Sequence, residues 1–545
     1  MKHVTVLLTA FLISGSLFAE PGTDIRQLMY HERYNSAETS LHSLLKTEPA
    51  NAGAWYLLAQ VYLEKNKDKE LKDTLAKAPA GIMEQPLLRS VYGHLLLKQN
   101  NADSAKYYFD LALKDSKMKD PAVLQEIASA NIDVKEGDAT YAIDLLGKAL
   151  KKDKNNPELY VLLGDAYRKL ADGGNAYKAY MQALEKNGKY ARAEYKIGKI
   201  YTSQNNPELY VPAFSRAVND DSLYAPALYE LYYHYYFKDV NMAKDYLKKY
   251  IDASDYDVKN DYLVTDMLYA TGKYDAAVKS ADELMEKEGT HAEPRLYKLL
   301  AYCYKELGNP EKATGYMNTY LSSQNDSGFL AKDFETMGEL YASMTGKEDS
   351  AAAYYARASM MEKEDAKKMI YFKKISNLYK KIKDYKNEAT WLGMYYAAKI
   401  NASNVDLFNW GLADYLAKDY PMADSLFTLY EQKYPTEEFG YYWAARSSAA
   451  IDTSMEKGLA ILHYKGLIDL YAKDTTSKIS KKHLVEAYGY IAAYKANTEK
   501  DYEGAIDNFD KLLQMDPENN DAKRYVEILK KTLAKSKNSI SQAAK

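Results

Sequence analysis

Apolar and small residues recur along this chain in paired stripes of helical period, separated by short polar breaks. The clearest pair begins with PELYVLLGDAY, Pro157 to Tyr167, and continues through Ala176, Tyr180 and Ala183. An aromatic residue, a Leu-Gly step and a tyrosine on one stripe are followed by alanine and an aromatic on the next. Each stripe predicts an amphipathic helix. The same order restarts at Ala191, Ala225 and Lys259, so four 34-residue units follow one another without a gap. Such a period predicts helix–turn–helix units, each burying its apolar face on its neighbours. Gly164 and Ala176 provide the small positions where two helices of a unit cross. Tyr160, Leu163, Tyr167 and Tyr180 fill the space around that crossing.

About fourteen units can be read. The first shows Tyr34, Ala37, Leu41 and Leu44; in the second, Leu71 and Leu75 replace the usual alanine and aromatic. Later units are marked by Tyr92-Gly93 with Phe109, by Ile127-Ala128, by Leu300-Ala301 with Tyr304, by Met337-Gly338, and by Trp410-Gly411 with Phe427. Pro86, Pro121, Pro157 and Pro294 sit where a first helix turn loses no hydrogen bond to proline. The string NNPELYV occurs at 155–161 and again at 205–211, an offset that is no multiple of the period. The first copy is predicted to open a first helix and the second copy a second helix. A capping helix is expected from Asn520 to about Lys535, and a short, basic, disordered tail after it.

Summed over these units, the pattern resembles the tetratricopeptide repeat family from about residue 23 to 520. The resemblance implies an all-α fold, a right-handed superhelical solenoid of about fourteen repeats. In that family the first helix of each repeat lines a concave groove that binds peptides or extended protein segments. Carried onto this chain, the family's groove positions fall on Arg192, Tyr195 and Lys199 in the sixth unit, on Tyr229, Tyr233 and Tyr236 in the seventh, and on Arg295, Lys298 and Tyr302 in the ninth. The seventh unit stands apart, because ALYELYYHYYF from Ala227 to Phe237 puts aromatics on every side. Tyr232 and Tyr235 are expected in the core. The other rings either face the groove, flanked by the basic residues above, or are buried against the solenoid's own next turn.

Stretches at 322–329, 360–368 and 399–404 interrupt the rhythm, as hinges or as longer turns. They divide the chain into residues 1–19, a solenoid segment at 20–320, a second at 321–530 and a tail at 531–545. The first nineteen residues read as a secretory signal: Lys2 and His3, an apolar run from Val4 to Phe18, and Ala19 at a plausible cleavage point. With one cysteine, Cys303, an exported chain has no internal disulfide and depends on packing alone.

Composition narrows the function further. The 73 basic and 76 acidic residues balance, which removes any long-range attraction to nucleic acid or to an anionic membrane. Tyrosine dominates the aromatics, with 54 Tyr against 12 Phe and 4 Trp, so aromatic repeat positions are filled by rings that can keep a hydroxyl near water. Phosphate-loop, nucleophile-elbow, HExxH and CxxC motifs are absent, and no two histidines share a helical face at metal-binding spacing. The expectation is therefore a non-enzymatic scaffold without cofactor or metal. It would be exported to the periplasm and would hold an envelope protein or peptide segment in its groove. A glycan-binding module using the tyrosine wall is the alternative.

Overall fold

A computed structural model describes residues 21–323, 328–473 and 479–543, the side chains of 21–23 and 536–543 excepted. The signal expected over residues 1–19 lies outside the described residues, as does 474–478 within the polar insertion after the thirteenth unit. Among the described residues there are 29 α-helices, from α1 (Pro21–Tyr30) to α29 (Asn520–Ala543). Odd-numbered helices open a repeat and even-numbered ones close it. Helices α1 to α28 thus form fourteen antiparallel pairs, with α29 left over as the cap. The result is an all-α repeat solenoid in which each helix packs chiefly on its neighbours in sequence.

Two compact units divide the chain, residues 1–290 and 291–545. The first holds eight helix pairs and the second holds six pairs with the cap. The boundary expected at residue 320 falls inside the second unit, within α18 (Pro310–Ser322). Two further differences concern helix ends. The eighth pair opens one residue early, because α15 spans Val258–Ala270 and puts Thr265 at the crossing, hydrogen-bonded to Ser280 at 2.6 Å. The cap helix continues through the basic stretch to Ala543, since no glycine or proline interrupts it. The two NNPELYV copies behave as expected: Pro157 opens α9 (Pro157–Lys169), a first helix, and Pro207 opens α12 (Pro207–Asp220), a second one.

In five of the pairs the crossing is set by a ring over a missing side chain. A methyl group placed on Gly164 would meet the ring of Tyr180, and one on Gly198 the ring of Phe214. Gly93 with Phe109, Gly338 with Tyr355 and Gly411 with Phe427 repeat the arrangement. Tyr180, Phe214 and Phe427 are fully buried there. A second recurring contact explains the tyrosine content. Tyr235 stacks on Tyr246, Tyr304 on Tyr316 and Tyr341 on Tyr354, with centroids 5.7, 5.5 and 5.5 Å apart, each pair joining the two helices of one repeat. The tight turn between the helices uses left-handed backbone, as at Gly272 (φ +74°) and Gly308 (φ +71°). Cys303 is buried in α17 (Arg295–Glu306), and burial pushes its thiol pKa up to about 12, so it packs as an inert side chain.

Two parts of the packing are imperfect. In the first unit, α14 (Val240–Ala253) and α15 leave an apolar pocket of about 290 Å³ between them, lined by Leu247, Ile251, Val264, Met267 and Leu268. In the second unit, Asp414 on α23 (Asn404–Leu416) is only 8% exposed, and its Oδ2 has no hydrogen-bond partner. Burial, with the nearby Asp419 carboxylate adding to it, raises the Asp414 pKa to about 6.

Two sets of stability measurements follow. Gly164→Ala and Gly198→Ala drive a methyl into a buried ring and should each cost ~1–3 kcal/mol. Gly147→Ala, in a helix with nothing within 4 Å of the new atom, should instead gain ~0.5–1 kcal/mol in the same thermal denaturation series. For Asp414, a folded-state pKa above the unfolded one means stability present at low pH and lost as pH rises through about 6. Asp414→Asn should therefore raise the melting temperature at pH 8, and the difference from wild type should shrink towards pH 4.

Candidate functional site

The inner helices of the first unit are tied to one another by polar side chains. Helices α3 (Ala52–Glu64), α5 (Pro86–Lys98) and α7 (Pro121–Asp133) meet at Glu126. Its buried carboxylate accepts hydrogen bonds from Tyr56 Oη at 2.9 Å and Gln60 Nε2 at 3.0 Å, and contacts His94 Nδ1 at 3.0 Å. Burial works against a charged His94, but Glu126 outweighs it and raises the histidine pKa. Asp133, at the end of α7, is enclosed by protein while still reached by solvent. That enclosure raises its pKa to about 6; His94 opposes the rise, while Glu64, Glu126 and Asp165 add to it.

The basic residues expected to flank a groove already have partners. Arg192 on α11 (Ala191–Ser203) holds Glu158 of α9 at 2.8 Å, and the Glu158 charge raises the guanidinium pKa further. Tyr190 Oη donates to the same carboxylate at 2.5 Å. Lys199 pairs with Glu230 of α13 (Ala225–Tyr236) at 2.6 Å. Tyr195 is half-buried, its ring packed on Phe214 and Tyr224. In the second unit, Arg295 pairs with Glu293 at 2.7 Å, and Lys298 pairs with the fully buried Asp333. Burial pulls the Lys298 pKa down, but the hydrogen bond to Asp333 outweighs it and leaves the pKa raised. The Lys298 ammonium lies 5.9 Å from the centroid of the half-buried Tyr302 ring. Arg192, Lys199 and Lys298 cement adjacent repeats and Arg295 pairs locally, so they present far less free charge than their number implies.

Helix α13 differs. Tyr232 is buried and Tyr235 half-buried, as expected for core rings. Tyr229 is 37% exposed, Tyr233 61%, and Phe237, just past the helix end, 79%. Tyr236 is half-buried, edge-on to Tyr232 at 5.9 Å. The uncovered rings occupy the fifth, ninth and thirteenth places of the repeat, the groove register. Of the nine candidate residues, the structure thus places Arg192, Tyr195 and Lys199 among internal contacts of the first unit. It leaves Tyr229 and Tyr233 open, and it puts Arg295, Lys298 and Tyr302 together on α17 of the second unit.

Sequence reasoning missed the acidic partners. It also missed the contact of Tyr30 with the start of α11, where Tyr30 Oη accepts the Arg192 backbone N–H at 3.2 Å. A signal existed for one of these acids: Glu158 stands one 34-residue period before Arg192, at the same position of the repeat.

Comparison with known proteins gives the same architecture. A family model described as tetratricopeptide repeat matches residues 28–95, and another of that description matches 157–189. The chain is similar to DnaJ homolog subfamily C member 3 of Mus musculus, with 25% identity over 320 residues, covering 56% of this chain and 60% of that protein. It therefore spans about 60% of the length of these curated relatives. Two solved structures are similar over about half of this chain. One is the C-terminal part of a TPR repeat-containing protein from Cytophaga hutchinsonii, at 26% identity, covering 49% of this chain and 99% of that one, with a TM-score of 0.30. The other is a tetratricopeptide repeat protein from Parabacteroides merdae, at 19% identity, covering 48% and 97%, with a TM-score of 0.32. With fourteen helix pairs in one register and matches in separate parts of the first unit, the chain is a tetratricopeptide repeat protein.

Proposed function

We propose that this protein is a non-enzymatic interaction scaffold, exported to the bacterial envelope, that grips extended protein segments on the aromatic face of α13. The observation that carries the reading is the uncovered set Tyr229, Tyr233 and Phe237 at groove positions of one repeat. Elsewhere in the first unit, groove positions such as Tyr56, His94 and Arg192 are taken up by internal hydrogen bonds and ion pairs. Rigid, amphipathic rings are efficient anchors, because they bring large contact area for little lost rotamer freedom. Tetratricopeptide repeat proteins generally act as scaffolds without catalysis, and that supports the same reading. Export rests on the pattern of residues 1–19, Lys2-His3 followed by an apolar run and Ala19.

Because Lys199 is paired with Glu230, the binding face is mainly apolar and aromatic. Its affinity should depend only weakly on salt. The test is capture of envelope proteins after mild cross-linking, with wild type compared with Tyr229→Ala/Tyr233→Ala/Phe237→Ala. Losing such anchors typically costs ~1–2 kcal/mol each, so captured partner should fall by tenfold or more. Circular dichroism should still report a helical chain, with a small fall in melting temperature because Tyr229 also packs on Tyr232 and Tyr250, with centroids 5.8 and 5.3 Å away. Undiminished capture by the triple variant would remove α13 as the binding face.

A further inference from the structure

The first repeat of the first unit is bound to its sixth, seventh and eighth repeats. The turn between α1 and α2 (Tyr34–Thr47) makes the contact. The Tyr30 ring lies between Tyr190 and Tyr224, with centroids 5.6 and 5.4 Å away. His31 Nε2 meets Asp221 Oδ2 at 2.8 Å. The Arg33 guanidinium reaches Asp255 Oδ1 at 3.4 Å; the Ser36 N–H donates to Asp255 Oδ2 at 2.9 Å, and the Ser36 hydroxyl also donates to Asp255.

The receiving surface repeats with the solenoid. Tyr190 and Tyr224 are one 34-residue period apart, and each immediately precedes a first helix. Asp221 and Asp255 are also one period apart, in the turns that follow successive second helices. The same position one unit earlier is Asn187, so the adjacent acidic pair on this ridge is Asp221 and Asp255. Two rings and two carboxylates at fixed spacing form a receptor for an aromatic side chain with cationic or hydroxyl groups close behind it. The chain's own Tyr30-His31-Glu32-Arg33 sequence has that chemistry.

The contact is long-range. It joins residues more than 160 positions apart through a few polar bonds and one ring. In a solenoid each repeat is stabilised mainly by its neighbours, so this contact can break without unfolding the repeats on either side. We infer that the ridge of Tyr190, Tyr224, Asp221 and Asp255 is a recognition surface for a partner turn carrying an aromatic residue closely followed by His or Arg, and that residues Tyr30–Ser36 occupy it in cis. This surface shares no residue with the uncovered rings on α13, so it can succeed or fail independently of the reading above. A tethered occupant has a high effective concentration, and a competitor meets an open ridge only for the fraction of time the turn is released.

The test uses a fluorescent peptide with the sequence of residues 24–40 and the full chain in three forms: wild type, His31→Ala/Arg33→Ala, and Asp221→Asn/Asp255→Asn. The first variant frees the ridge and the second damages it while also releasing the turn. By fluorescence anisotropy the His31→Ala/Arg33→Ala chain should bind the peptide at least about tenfold more tightly than wild type, in proportion to the released fraction. The Asp221→Asn/Asp255→Asn chain should bind it no better than a scrambled peptide. Equal peptide affinity for wild type and the freed variant, or binding that survives loss of both acids, would overturn the inference. Circular dichroism of both variants checks that helix is retained. Should the freed variant lose helix, Arg33→Ala alone replaces it, since it leaves the ridge intact and removes the contact of Arg33 with Asp255. That chain should bind the peptide more tightly than wild type, and equal affinity would equally overturn the inference.

Discussion

The repeats of this protein depend on close helix crossings, and in five of them a large ring enters the space left by a glycine on the partner helix. Gly164 with Tyr180 and Gly198 with Phe214 show why the two positions must be kept together. A methyl group on the glycine leaves the ring nowhere to go, because the ring is already closed in by the next repeat. The crossing sets the angle of the pair, and the pair then offers its outer rings and alanines to its neighbour. Stability accordingly spreads along the chain in short-range steps, with no single central core. Tyrosine suits this construction. In a layer two helices thick a ring is seldom far from water, and its hydroxyl can reach a carboxylate, as Tyr180 reaches Asp165 at 2.6 Å.

The same short-range logic governs the charges. Ion pairs between neighbouring first helices, Arg192 with Glu158, Lys196 with Asp165 and Lys199 with Glu230, run along the inner side of the first unit. They neutralise a face that the basic residues alone make look strongly cationic. What remains available for recognition is aromatic and localised: Tyr229, Tyr233 and Phe237 on one repeat. The turn at Tyr30–Ser36 then brings the first repeat back onto later ones, and the first unit closes on itself.

Most of the fold was legible in the sequence because its determinants are local. The period, the glycine and ring positions and the proline starts each act within one repeat or between adjacent repeats. The eighth repeat starts one residue earlier than a strict 34-residue period places it, because Thr265 is the small residue that fits the crossing. The candidate site was only partly legible. The groove register falls on Tyr229 and Tyr233, which the structure leaves partly uncovered, and on Tyr236, which it half-buries. It also proposed Arg192, Lys199 and Lys298 as open charges, because helix phase carries no information about partners on other helices. Glu158, Glu230 and Asp333 are such partners, 31 to 35 residues away in the chain. The contact from Tyr30 to Tyr224 depends on how many small rotations accumulate over six repeats, and no local pattern records that sum.

The central claim is that the first unit closes through this distant contact. Spin labels at Asn35→Cys and Tyr256→Cys, both exposed and next to the contacting residues, measure the closure directly by electron–electron double resonance. Buried Cys303 is shielded from the label. A single short distance, lengthened by His31→Ala/Arg33→Ala, is the predicted result. A long or broad distribution in the wild-type chain would contradict it and would mean that the first and eighth repeats do not meet.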